Sequence, residues 1–407
     1  MLFPIACALL TSRNGAFESA SRDSKSAEDL QGETTMDPLL RRKERFVSRG
    51  EVEELIRRLA ANLTAIKDET GEFLLHLEDG RVIDTRGWSG WEWTHGIGLY
   101  GLFNSWRLTQ DPALLQIILD WFEARFAEEQ ATKNINTFAP FLTLASLHEM
   151  RPNPAWVPYL ETWAEWAMHE LPKTKEGGFQ HIVYNSVNPQ QMWDDTLMMS
   201  VMPLAKIGLV LNRPEYVEEA KYQFLIHAHY LADRATGLWF HGWTFDGDHN
   251  FAKALWARGN SWITIAIPEF LDLLNPPEND PLRRHLLSIL RRQAEALART
   301  QDASGLWTTL LDDPQSYLES SAAAGFGYGL MKAVRKGYLG REYLPMAEKA
   351  VQGVIGKIDA SGELRQVSFG TAMGADLDYY RGIRLTSTPY GQAMALLCLS
   401  EHLRSYI

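Results

Sequence analysis

From about Val47 to the C-terminus, apolar residues recur at three- and four-residue intervals, and the gaps between these segments are too short to hold a separate sheet. The segments are helical in period and come in two kinds. Met198 to Leu211, Ile263 to Leu274 and Ala322 to Val334 are apolar nearly all round, as in a buried helix, whereas Leu282 to Thr300 keeps a polar face for solvent. Inner and outer helices therefore alternate along the chain as hairpins. A short phrase returns between them: Gly177-Gly178-Phe179-Gln180, Gly237-Leu238-Trp239-Phe240, Gly305-Leu306-Trp307-Thr308 and Gly362-Glu363-Leu364-Arg365. Its glycines are 60, 68 and 57 residues apart. Glycine accepts the left-handed backbone that stops a helix, so each phrase is expected to cap one helix C-terminus and lead into an extended turn.

Inner helices are predicted to begin near Trp93, Asn136, Asp195, Asn260, Ser321 and Tyr390. Six hairpins make an all-α (α/α)6 toroid the expected fold, with an open superhelix of helix pairs as the rival. In the toroid, the starts of the inner helices and the loops before them gather at one end, where a site is expected. Residues 47–407 are assigned to a single catalytic domain of this kind. Residues 1–46 are read as a poorly ordered leader, because the stretch from Thr11 to Thr35 is rich in Ser, Glu, Asp and Gly. Met1 to Leu10 is apolar but short, lacks a basic start and contains Pro4. It is a weak signal peptide, so a cytoplasmic location is expected, with secretion as the alternative.

Forty basic residues against 51 acidic ones give a net charge of -11, which argues against a nucleic-acid partner. No apolar run is long enough to span a membrane. Two cysteines are too few for a disulfide framework or a thiolate metal site, and no nucleotide-binding loop, nucleophile elbow or His-Glu-x-x-His pair occurs. No metal and no cofactor are expected. The 14 Trp, 14 Tyr and 17 Phe exceed what a core needs, which leaves rings to line a groove.

Candidate chemistry collects at the helix starts. Asp194 and Asp195 follow Met192-Trp193; one can cap the helix, and the other is then free for chemistry. His241, between Phe240 and Gly242-Trp243, could hydrogen-bond a sugar while Trp243 stacks on it. Arg258 and Trp262, four residues apart, can share a helix face, and the guanidinium could fork onto a carboxylate. Asn136 and Trp93 open the equivalent earlier helices, where cap and core are the plainer readings.

Met192-Trp193-Asp194-Asp195-Thr196-Leu197, His241-Gly242-Trp243, Ala257-Arg258-Gly259-Asn260-Ser261-Trp262 and Ser316-Tyr317-Leu318-Glu319-Ser320-Ser321 together resemble glycoside hydrolase family 105, the unsaturated rhamnogalacturonyl hydrolases, relatives of the family 88 unsaturated glucuronyl hydrolases. The resemblance spans about residues 50 to 405. It implies action on a small acidic oligosaccharide left by a polysaccharide lyase, such as a pectin fragment, whose terminal uronic acid has a C4=C5 double bond. Protonation at C4 and addition of water at C5 give a hemiketal that opens and releases the remaining sugar. The resemblance makes Asp195 the acid/base and His241, Arg258 and Trp262 binders of the unsaturated sugar, with Asn136 and Trp93 matched more loosely. Asp195 is then expected to have a raised pKa beside Trp193 or Trp243, against the helix dipole. Trp88, Trp91, Trp243 and Tyr317 are the candidates to stack on the second sugar. The rivals are an ordinary toroidal glycosidase or a uronate lyase, pairing Asp195 with Glu319 or Asp246, and a non-catalytic sugar-binding protein.

Overall fold

The computed structural model describes residues 46–128 and 131–407. The expected leader, apart from Phe46, lies outside the described residues. Six outer helices, α1 (Arg49–Ala65), α3 (Pro112–Phe126), α5 (Val157–His169), α7 (Pro214–Leu231), α9 (Pro281–Thr300) and α11 (Leu344–Ile355), alternate with six inner ones. The inner set is α2 (Trp93–Thr109), α4 (Pro140–Met150), α6 (Met202–Val210), α8 (Ala257–Leu274), α10 (Ser320–Arg335) and α13 (Pro389–Leu403), with a short α12 (Leu377–Arg381) before the last. Local chemistry explains the starts. Ser48 and Glu51 form a capping box on α1, and proline occupies the first turn of α3, α5, α7, α9 and α11, where its missing N–H costs nothing.

Around the ring α2 packs on α4, α4 on α6, α6 and the turn before it on α8, α8 on α10, α10 on α13, and α13 back on α2. The toroid closes, and the open superhelix is excluded. Every residue of α13 is buried, the polar Gln392, Ser400, Glu401 and His402 included. Among the described residues no helix is long and apolar enough to cross a membrane.

The repeated glycines are left-handed as expected, with φ of 80°, 86°, 88° and 84° at Gly177, Gly237, Gly305 and Gly362. They do not cap the helices, however. α5, α7, α9 and α11 have already ended at His169, Leu231, Thr300 and Ile355, and each glycine sits in a tight turn beyond. Gly237, Gly305 and Gly362 donate their N–H to the carbonyls of Asp233, Asp302 and Asp359. A Cβ at these three positions would lie 2.6, 2.1 and 2.4 Å from the carbonyl oxygens of Arg292, Lys349 and Arg58. Those carbonyls belong to α9, α11 and α1, in each case the next outer helix around the ring. The phrase thus fastens neighbouring repeats, and its last copy fastens the end of the chain to the beginning. Buried amides hold the turns from within: Gln223, Asn260 and Gln392 accept the N–H of Phe179, Trp239 and Leu364 at 2.7–2.8 Å.

One inner helix departs from the expected Met198 to Leu211. Residues Leu197–Val201 form a π-helical turn, closed by Met202 N–H to Leu197 O, before α6 begins. Pro203 follows in the first turn of α6, where its missing N–H is tolerated. Short antiparallel strand pairs lie between the helices: β1 (Leu74–His76) with β2 (Val82–Asp84), β3 (Gln191–Trp193) with β4 (Gly242–Thr244) across α6 and α7, and β5 (Trp307–Thr308) with β6 (Leu318–Glu319).

Candidate active site

The starts of the inner helices enclose a cavity of about 560 Å³. Its chemistry is assembled by β3 and β4, where Trp193 lies opposite Gly242. This pairing sets His241 beside the residues that follow β3, and Asp194 N–H donates to His241 O at 2.9 Å. Asp195 then reaches the cavity, with 16% of its side chain exposed. Its Oδ1 accepts from Trp262 Nε1 at 3.1 Å, and its Oδ2 lies 3.2 Å from His241 Nε2. His241 Nδ1 is 2.8 Å from the Tyr380 hydroxyl on α12, and burial pushes that phenol well up. The Tyr380 hydroxyl and Asp195 Oδ2 thus engage both ring nitrogens of His241.

Burial pushes the Asp195 carboxyl up, but the hydrogen bond and charge of His241, with His181 and Arg258 beyond, outweigh it and bring the pKa down to about 2. The expectation of a raised Asp195 is therefore not met. The two donors on its oxygens hold the charged form. Asp194 is the raised carboxyl, by burial first and then by the neighbouring Asp195 charge.

Arg258 is buried and lines the cavity, as expected, but its donors have other work. Nη1 and Nη2 bond Ser368 O (2.8 Å), Ser368 Oγ (2.7 Å), Phe369 O (3.1 and 3.0 Å), Tyr390 Oη and Thr371 Oγ1 (2.6 Å). Its guanidinium also lies over Trp256, 4.3 Å from the ring centre. Arg258 is the one Arg or Lys among the described residues that line the cavity. Trp262 is fully buried and donates to Asp195 rather than offering a face to a sugar. Trp93 and Asn136 do line the cavity, with the Trp93 ring 4.6 Å from Tyr390. Trp243 does not: opposite Met192 across the β3–β4 pair, it packs on Tyr230 of α7. Trp88 and Trp91 pack on Trp121, and Tyr317 likewise lies outside the lining.

Two buried groups in the cavity wall carried no motif. His181 stacks on Trp193 at 4.1 Å and bonds Thr196 Oγ1, and burial pushes its pKa down to about 3. Glu92 caps α2, accepts from Trp93 N–H at 3.0 Å and pairs with the Asn136 side chain; burial pushes it up to about 7. The second acids named for an ordinary glycosidase lie elsewhere. Glu319 caps α10 and accepts from Ala322 and Ser368 N–H, and Asp246 is exposed. Asp194, Asp195 and His241 each offer an atom within 4.8 Å of the others, close enough to hold a cation together.

The family model described as Glycosyl Hydrolase Family 88 matches residues 65–406. The chain belongs to this family. An unsaturated rhamnogalacturonyl hydrolase of Bacillus subtilis is 30% identical over 318 residues, 77% of this chain and 90% of that protein. A crystal structure of a possible family 105 member from Salmonella enterica serovar Paratyphi A has a TM-score of 0.90 and 63% identity over 91% of this chain and 98% of its own. A heparin-specific unsaturated glucuronyl hydrolase shares the fold at a TM-score of 0.67 and 15% identity, covering 88% and 97% of the two chains. The chain is thus a glycoside hydrolase, and the sugar-binding-protein reading falls away.

Proposed function

We propose that this hydrolase hydrates the C4=C5 bond of an unsaturated uronic acid at the end of a short oligosaccharide, with Asp195 as acid and base. The observation that carries the reading is a single cavity in which Asp195, held by Trp262 and His241, faces the positive charge of Arg258. Asp195 gives a proton to C4, positive charge grows at C5 and is shared by the ring oxygen, and water adds at C5 as Asp195 takes its proton. The hemiketal then opens and the remaining sugar leaves. The field of Arg258 draws the uronate carboxylate inward, while Asn136 and Trp93 contact the sugar and His241 orients Asp195. The Bacillus relative supports rhamnose as the following sugar. A cytoplasmic location is part of the reading, and Cys398, buried and without a disulfide among the described residues, is compatible with it.

A second reading rests on Glu92. With one cavity carboxyl raised to about 7 and the other lowered to about 2, Glu92 and Asp195 could act as the acid and base of an ordinary hydrolysis. Against it, Glu92 is tied to Trp93 N–H and to Asn136. Trapping with methanol in the assay water separates the readings, because hydration chemistry places the methoxy group at C5 and ordinary hydrolysis places it at C1, which product NMR distinguishes. Ultraviolet absorbance of a lyase-made disaccharide falls in both, since the hemiacetal freed by ordinary hydrolysis opens to an enol that becomes the same 5-keto acid. Asp195→Asn should bind the disaccharide and lose at least about a hundredfold in kcat, the usual cost of a removed general acid/base. A variant retaining a tenth of the rate would remove Asp195 from the chemistry.

A further inference from the structure

Asp194 has a setting that the reaction above does not use. It is fully buried, and neither carboxyl oxygen has a hydrogen-bond partner among the described residues. Gly259 at the start of α8 leaves it room, since a Cβ there would lie 2.1 Å from Asp194 Oδ2. The charged and titratable groups around it come from several elements: Asp195 on its own segment, His241 before β4, Arg258 on α8 and Tyr380 on α12, with His181 behind Asp195. None of their side chains donates a hydrogen bond to Asp194, whose near neighbours are the Asp195 backbone N–H and the Asp195 carboxyl itself. His241 is committed to Asp195 and Tyr380, and the terminal nitrogens of Arg258 to residues 368–371 and Tyr390. A buried, unpartnered carboxylate would be costly, whereas a carboxylic acid whose proton reaches a neighbouring carboxylate is not.

We propose that Asp194 is a positioning residue that shares one proton with Asp195, so that the proton delivered to the substrate is held by the pair. The inference rests on the hydration reading above. It also resolves a difficulty in it, since Asp195 with two donors on its oxygens would by itself be ionised at neutral pH. The pair takes up two protons in two coupled steps, and the first proton, loaded in the upper step, is the one that governs activity. In the reaction that proton passes through Asp195 to C4, both carboxylates are briefly ionised opposite the cation forming at C5, and their repulsion makes Asp195 a stronger base. Water then bonds to C5, one of its protons returns to Asp195, and the pair again holds one proton.

The test is the pH profile of kcat/KM for an unsaturated disaccharide, followed by the loss of ultraviolet absorbance. Asp194→Asn should move the alkaline limb down by at least about two pH units, which is a loss of roughly a hundredfold at pH 7 that closes as the pH falls towards 4. Asp194→Glu should restore the limb. A loss of the same size at every pH, with the limb unmoved, would mean that Asp194 serves only packing and overturns the proposal. Infrared titration supplies a test that needs neither turnover nor an Asp194 variant. In Glu92→Gln, which removes the other raised carboxyl of the cavity, a protonated carboxyl band must persist at pH 7, and its absence also overturns the proposal. A wild type inert towards every lyase-made disaccharide would instead sink the hydration reading, while the infrared band would still decide on the pair.

Discussion

Arg258→Lys separates two roles for the guanidinium, because the sequence pattern casts it as a clamp on the substrate carboxylate whereas its bonds tie it to residues 368–371. The two terminal nitrogens serve Ser368, Phe369, Thr371 and Tyr390. A lysine ends in one nitrogen with three donors and no planar fork, so at least two of the guanidinium's bonds go unmade, although Ser368 O and Phe369 O keep the Tyr390 and Thr371 hydroxyls as donors. At about 1.5–3 kcal/mol for each lost charged hydrogen bond, the variant should be about 3–5 kcal/mol less stable. For a domain of this size that lowers Tm by on the order of 4–7 °C. Residues 368–376 should also become cleavable by protease, and KM should rise because Phe369 and Thr371 line the cavity. Differential scanning calorimetry and limited proteolysis read both effects. A raised KM with Tm unchanged to within about 1 °C would refute the reasoning and return Arg258 to the substrate.

Trp262→Phe removes the donor to Asp195 Oδ1, worth about 1.5–3 kcal/mol to the charged form, so kcat should fall about tenfold at constant KM; an unchanged kcat would show that this donor is idle. Gly305→Ala places a Cβ 2.1 Å from Lys349 O at a φ of +88°, and should cost roughly 3 kcal/mol or more in urea unfolding, where a wild-type midpoint would contradict the fastening role. His227 is held neutral by burial, its pKa pushed down to about 4, while in the unfolded chain it titrates near 6.5. Its share of stability is therefore intact above about pH 6.5 and lost as pH falls towards 4, because only the unfolded form takes up the proton. His227→Leu should make the fall in stability across that window shallower by about 1.4 kcal/mol per pH unit, and identical slopes would show that His227 is protonated in the fold.

The helix starts were legible because their signals are local. Proline in the first turn, a Ser48–Glu51 capping box and unbroken apolar helices lie within a few residues of the boundary they set. The closed ring was legible because one phrase recurs at nearly constant spacing. The inner wall was only half legible. Asp195 and His241 stand in motifs, but Glu92, His181 and Tyr380 reach the cavity region from separate loops and elements, and no periodicity marks them. Trp243 misled because an aromatic residue beside His241 suits a sugar and suits packing on Tyr230 equally well. Arg258 was placed in the right wall with the wrong partners. Which backbone carbonyls approach a buried guanidinium depends on residues more than a hundred positions away.

The fastening of Gly362 to Arg58, with Tyr406 Oη bonded to Val47 O and α13 set between α10 and α2, has a consequence for biosynthesis. Five inner helices can leave the ribosome and still lack the sixth. Thr388 and Tyr390, which complete the cavity wall, belong to α13 and its cap. Until α13 emerges, α2 and α10 each present an uncovered apolar flank, and the nascent chain is an incomplete ring with no working pocket. A chain stopped before this helix therefore exposes the apolar interior that chaperones and proteases recognise.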